Sequence, residues 1–171
     1  MLFEGQSALS FYWQPALTNV LHGSCRKPHH DEKDALTRVH GLLEEEFNGG
    51  ACRPDMLLLT GDQVYSDDVA GPMLQAIQQV STALGLFGEP LEGAVVDHSD
   101  ALASHSLNYY QRDEILPKIA MNTALSKLFF GAKKKPVFTS VNAKNHLISF
   151  SEIMAMYILV WSPAMWRDIK F

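Results

Sequence analysis

Cysteine is scarce in this chain: its 171 residues hold two, Cys25 and Cys52. Two are too few for a disulfide framework, and they do not form a C-x-x-C pair. Charge is scarce as well, at 19%, and none of it is a basic excess. Fourteen Lys and Arg stand against 19 Asp and Glu, for a formal net charge of -5. Such a chain is a poor general ligand for nucleic acid, whose binding is dominated by phosphate neutralisation, and for anionic membrane surfaces. The one basic run, Lys133-Lys134-Lys135, is short and reads as a solvated loop. No apolar stretch reaches the roughly 20 uncharged residues of a membrane span. The most apolar, Leu147–Trp161, carries Glu152 and is closely followed by Pro163, so it is expected to be a buried core helix. A basic n-region with a continuous apolar h-region is missing from the N-terminus, so no signal peptide is expected. Also absent are G-x-x-x-x-G-K-[ST], G-x-G-x-x-G and G-x-S-x-G. These absences describe a soluble, cytoplasmic protein with no membrane or nucleic-acid partner.

What is present is a chain able to fold unaided. Hydrophobic residues make up 47%, which excludes a disordered tail or a low-complexity linker. A globular chain of this length buries roughly 70% of its unfolded surface. Residues 16–22, ALTNVLH, suit a short strand running into GSCRKPHH, where Pro28 interrupts any helix. Ala35, Val39, Leu42, Leu43 and Phe47 follow helical spacing through HHDEKDALTRVHGLLEEEF, and Asn48-Gly49-Gly50 gives a stop. Asp55–Thr60, DMLLLT, reads as a strand buried on both faces, since its apolar residues are consecutive rather than alternating. Ala70–Leu86 places Met73, Leu74, Ile77, Val80 and Leu84 on one helical stripe. Gly88–Ser106 reads as a long polar loop with His98 and His105 solvated. Helices are expected again over Ile115–Phe130 and Ser149–Trp161. The order strand, helix, strand, helix predicts an α/β fold around a parallel βαβ unit plus extra helices. A single domain over residues 1–171 is expected. So few strands suggest the N-terminal part of something larger.

Two segments carry chemistry. In Met56–Asp68, MLLLTGDQVYSDD, a strand ends in Gly61-Asp62, with Asp67 and Asp68 close by. Ligand sites of open α/β sheets lie beyond the carboxyl ends of the strands. Gly61 allows a sharp turn and close approach to a ligand. Carboxylates in this arrangement suit a hard divalent cation. They suit equally a helix start, with Asp62 as its cap and Asp67 and Asp68 in the first turn. The other segment, Gly23–Asp34, GSCRKPHHDEKD, places Ser24 and Cys25 at the end of the first strand. A thiolate there can bind a transition metal, while Arg26 and Lys27 can bind phosphate. His29 and His30 add ligands or proton donors. Read alone, the same residues are a buried thiol, solvated cations and a polar helix start.

Together, GSCRKPHHDEKDAL and RPDMLLLTGDQVYSDDVAGPML resemble the first two motifs of the PhoD-like phosphatases, within the metallophosphoesterase superfamily. The later stretch VFTSVNAKNHLISFSEIMAMYILVWSPAMW is similar to a segment of bacterial members. The resemblance covers most of Leu21–Trp166 apart from the variable loop. It implies a four-layer sandwich and hydrolysis of phosphate mono- or diesters. Metal ions would be iron with calcium or another divalent metal. Cys25 would ligate one metal, Asp62 would bridge two, and Tyr65 would be a further ligand. Arg26 would hold the phosphate ester substrate, and His29 would be an acid group or a support for the metal ligands. The superfamily's usual Asp-x-His opening is replaced here by Gly23-Ser24-Cys25, as in PhoD-like enzymes. The family's later Asp-His and His-x-His motifs are missing, so a C-terminal truncation with an incomplete site is expected. Asn145-His146 imitates a Gly-Asn-His motif, but Lys144 replaces the glycine. His146 is therefore expected to be structural or at a cavity rim. The competing reading is a non-catalytic α/β module with weak metal or partner binding.

Overall fold

A computed structural model describes residues 5, 7–8, 11, 13–27, 31–50, 52–67, 69–116 and 143–171. They divide into two compact units, Met1–Gln63 and Val64–Phe171.

In the first unit, β1 (Val20–Gly23) and β2 (Met56–Leu59) pair in parallel, with Val20 opposite Met56 and Gly23 opposite Leu59. Asp55 fixes the register at the strand entrances. Its Oδ2 accepts from the Thr18 and Asn19 amides at 2.6 and 2.8 Å and from the Thr18 hydroxyl at 3.0 Å. The crossover helix α1 (Leu36–Phe47) starts later than the apolar pattern suggested. Asp34 sets the start: its Oδ1 accepts from Leu36 N–H at 3.0 Å and its carbonyl accepts from the Thr37 hydroxyl at 2.7 Å. The helix stops where expected, with Gly49 at φ 79° and the Gly50 amide donating to Glu45 O at 2.8 Å.

The expectation of a doubly buried strand does not hold. Met56, Leu57 and Leu58 are 43%, 38% and 46% exposed. A parallel strand is buried only where layers cover both faces. Among the described residues the sheet has two strands, and no residue of α1 is buried. Side chains alternate across a strand, so Met56 and Leu58 are left open on one face and Leu57 on the other.

The second unit holds the core. α2 (Gly71–Ala83) packs on α3 (Phe150–Trp161). Leu74, Ala76, Ile77 and Val80 meet Leu147, Ala155, Met156 and Leu159, all buried. Leu84, at the end of the expected stripe, lies beyond α2 and is exposed. α3 contributes Ala155, Met156 and Leu159 to the core, as expected of a core helix, but only through one face. Phe150, Ile153 and Tyr157 are exposed, as the 3.6-residue period requires where, among the described residues, one layer packs on the helix. Ser149 begins α3 with a capping box: its Oγ accepts from Glu152 N–H, and the Glu152 carboxylate accepts from Ser149 N–H.

The expected polar loop at 88–106 is packed rather than open. Pro90 bridges His98, Ser99–Ser104 forms a 3-10 helix, and Val96 and Leu102 pack with Ile115 in a second buried cluster. Apolar residues spaced among the Gly, Asp and Ser of this loop supply that cluster. The two histidines take part as acceptors, His98 Nδ1 from Asp100 N–H and His105 Nδ1 from Leu107 N–H. Residues 115 and 116 form a turn and a bend, and the remainder of the helix expected over Ile115–Phe130 lies outside the described residues. Mixed α/β character with a parallel strand pair is thus observed. Among the described residues no helix is long and apolar enough to cross a membrane.

Candidate functional site

Parallel pairing puts the carboxyl ends of β1 and β2 on the same side, and the chain leaves both strands into adjacent loops. The ladder runs one step further, with Thr60 N–H donating to Gly23 O at 3.2 Å. Beyond it the loops interlock. Arg26 N–H donates to Asp62 O at 2.8 Å, and Asp62 N–H points at Cys25 Sγ, 3.4 Å away. Cys25 and Asp62 therefore meet at one place, both exposed. Among the described residues the Asp62 carboxylate makes no hydrogen bond of its own.

Gly61 explains how the loops come so close. A Cβ there would lie 2.5 Å from both Cys25 N and Cys25 Sγ and 2.6 Å from Ser24 Oγ. Gly61 is not among the residues with positive φ. Its hydrogen thus makes room for the neighbouring loop, rather than supplying the sharp turn that the sequence suggested. The helix-start reading of the acidic residues does not hold either. α2 begins at Gly71 behind Ala70, and its first turn holds no acidic residue.

Arg26 is engaged rather than open. Its Nε and Nη2 donate to Asp34 Oδ2 at 2.9 and 2.7 Å. That hydrogen bond from Arg26 is the main reason the Asp34 carboxyl is held below its ordinary range, with the Leu36 amide adding to it against partial burial. Asp55 is likewise lowered, chiefly by the Thr18 amide and then the Asn19 amide. His29 and His30 lie outside the described residues, as does Asp68. Tyr65 and Asp67 belong to the second unit, where both are half-buried. No disulfide joins Cys25 and Cys52.

Asn145-His146 has a structural place in the second unit. The Asn145 amide donates to Val69 O and accepts from Tyr110 N–H, and the His146 carbonyl accepts from Arg112 Nε at 2.8 Å. The sequence reading missed the buried cluster to which this belongs. Arg112 is 0% exposed; its Nη2 donates to both oxygens of Glu152 at 2.7 Å, and its Nη1 donates to Asn108 Oδ1. An Arg and a Glu forty positions apart carry no local pattern, so periodicity gave no signal. Gln63, lodged between the two strand-end loops, was also missed. Its place directly after Gly61-Asp62 was the available clue.

As a donor set, Cys25 Sγ and the Asp62 carboxylate fit a transition metal in part. Soft sulfur and hard oxygen at one strand end are a mixed pair of the kind iron and zinc accept. Structural and catalytic centres take three or four protein ligands. Among the described residues, no group of three His, Cys, Asp or Glu side chains is placed to hold an ion. The chain matches no protein-family profile, no curated protein and no solved structure.

Proposed function

We propose that this chain is part of a metal-dependent phosphoesterase of the PhoD-like kind, hydrolysing phosphate mono- or diesters. The observation that carries the reading is the meeting of Cys25 and Asp62 at the carboxyl ends of parallel strands, within 3.4 Å from sulfur to amide nitrogen. In this reading Cys25 and Asp62 hold the metal ions, iron with calcium or another divalent metal. The four-layer sandwich is the fold it implies. A bound metal pair supplies Lewis acidity and a water of lowered pKa. The residues' own contributions are narrower. Asp62 offers an exposed carboxylate, Cys25 a thiol that receives a backbone N–H, and Arg26 a guanidinium for the ester phosphate. The bond to Asp34 keeps that guanidinium oriented.

The test is metal content and hydrolysis of p-nitrophenyl phosphate and its bis ester, on the protein and on Cys25→Ser and Asp62→Asn. Each variant is expected to lose bound metal and any activity while keeping its far-ultraviolet circular dichroism. Full metal content in both variants would overturn the assignment.

A second reading has its own observation. With no third ligand placed among the described residues and an exposed apolar strand pair, a non-catalytic module that binds metal weakly, or binds a partner, also accounts for the first unit. Metal bound through Cys25 without hydrolysis would favour it.

A further inference from the structure

Gln63 lies at the strand ends, and neither the metal reading nor its rival uses it. Its Nε2 donates to two backbone carbonyls, Ser24 O at 2.9 Å and Gly61 O at 3.0 Å. Ser24 and Gly61 are the residues immediately before Cys25 and Asp62. A carbonyl only accepts, so the amide has one workable orientation, with NH2 toward both carbonyls and Oε1 turned away. Among the described residues Oε1 is buried and accepts no hydrogen bond. Folded proteins keep few such orphans, because a buried acceptor has lost water without replacement. Gln63 carries that penalty to keep its NH2 group where it spans the two loops.

We propose that Gln63 is a positioning residue. One side-chain amide ties the Ser24–Cys25 peptide to the Gly61–Asp62 peptide and so sets the Cys25 thiol against Asp62. Two further bonds close the same clasp, Arg26 N–H to Asp62 O and Asp62 N–H to Cys25 Sγ. The purpose of the clasp rests on the metal reading of Cys25 and Asp62; its geometry does not.

The experiment uses the whole chain carrying Cys52→Ser, so that every thiol signal belongs to Cys25. Gln63→Met keeps the side-chain length and removes the donor. Gln63→Lys keeps a donor for both carbonyls. Hydrogen exchange on metal-free protein gives the first readout. In Gln63→Met, the Arg26 and Asp62 amides are expected to exchange roughly 2–10-fold faster, the factor set by one lost hydrogen bond. Exchange in β1 and β2 should be unchanged, and Gln63→Lys should restore the wild-type rates. Unchanged exchange at Arg26 and Asp62, or equal acceleration through both strands, overturns the proposal. Titration with Co2+, followed by the thiolate-to-metal absorption band, gives the second readout. Gln63→Met is expected to bind about 10–100-fold more weakly, as when a group that orients a ligand is removed. A wild-type band whose affinity Gln63→Met leaves unchanged also overturns the proposal. If the wild-type protein gives no Cys25-dependent band, the metal reading falls, and the exchange result still decides whether the clasp exists.

Discussion

Single residues at the strand ends act mostly through what they leave room for or hold still. Gly61 is the clearest case, since a methyl group there would overlap the backbone nitrogen of Cys25, which cannot rotate away. Gly61→Ala is therefore expected to destabilise the first unit by about 1–3 kcal/mol, the range for overpacking a tight contact. Urea unfolding together with amide exchange at Arg26 and Asp62 would measure it. An unchanged midpoint with unchanged exchange would mean that the loops separate at no cost. Asp34 and Asp55 make a pH prediction. Both carboxyls are held below their ordinary value of 3.8, Asp34 mainly by Arg26 and Asp55 mainly by the Thr18 amide. A depressed folded-state pKa stabilises fully above the unfolded value and is lost as pH falls through the folded one. These two carboxyls should thus add no pH dependence near neutrality, and their contribution to the first unit should be lost as pH drops below about 4, the unfolded carboxylate range. Asp34→Asn and Asp55→Asn should each be less stable at neutral pH and show a flatter acid limb. Thermal unfolding from pH 7 to pH 2.5 would follow this, and an acid limb as steep as wild type in both variants would refute it.

At the scale of elements, α3 shows how a helix is fixed by its entrance. The Glu152 carboxylate accepts both bonds from Arg112 and also the amides of Ile148 and Ser149. Removing one partner of a buried pair strands the other charge, so Glu152→Ala is expected to cost about 3–5 kcal/mol. Arg112→Met should cost a similar amount, and the double variant less than the sum of the two, because neither charge is then left alone. Urea midpoints of the three proteins would check the coupling; strict additivity would contradict it. The same element marks how far the sequence could be read. The period of α2 and α3 and the start of α3 at Ser149 were legible, since each rests on residues a few positions apart, and the parallel order of β1 and β2 followed from the helix between them. So was the meeting of Cys25 and Asp62, which follows once two parallel strands end in those loops. The burial of the MLLL strand was not legible, because an apolar run states what a strand prefers and not whether layers exist to cover it. Nor was the role of Asn145 and His146. Their partners, Val69, Tyr110 and Arg112, are distant in sequence, and Tyr110 takes a φ of 63°, which a bulky residue adopts only when tertiary contacts impose it. Tyr110 also shapes the start of α2. Its hydroxyl accepts from Gly71 N–H at 3.1 Å, and a Cβ on Gly71 would lie 2.8 Å from that oxygen.

Across the whole molecule the two units are held by different forces. Every buried hydrophobic residue among the described ones, from Val69 to Leu159, belongs to the second unit. The first unit relies on hydrogen bonds and ion pairs: the Asp55 staple, the Arg26–Asp34 pair and the bond between His22 Nε2 and Thr60 Oγ1. Burial of apolar surface is the main favourable term in folding, whereas an intramolecular hydrogen bond contributes only about 0.5–1.5 kcal/mol net. Local opening should therefore differ sharply between the units. Native-state hydrogen exchange is expected to find the amides of Ile77, Val80, Ala155 and Met156 the slowest in the chain. Those of β1 and β2 should exchange through opening events of much lower free energy. Low urea should leave this order unchanged. Strand amides as protected as those of α2 and α3 would contradict the account, since two hydrogen-bonded strands with Met56, Leu57 and Leu58 partly open to water have no fully buried apolar residue to supply such protection. The protection should also be independent of protein concentration. If it rose with concentration, the open strand faces would be covered by association between copies, which exposed apolar surface of this kind favours.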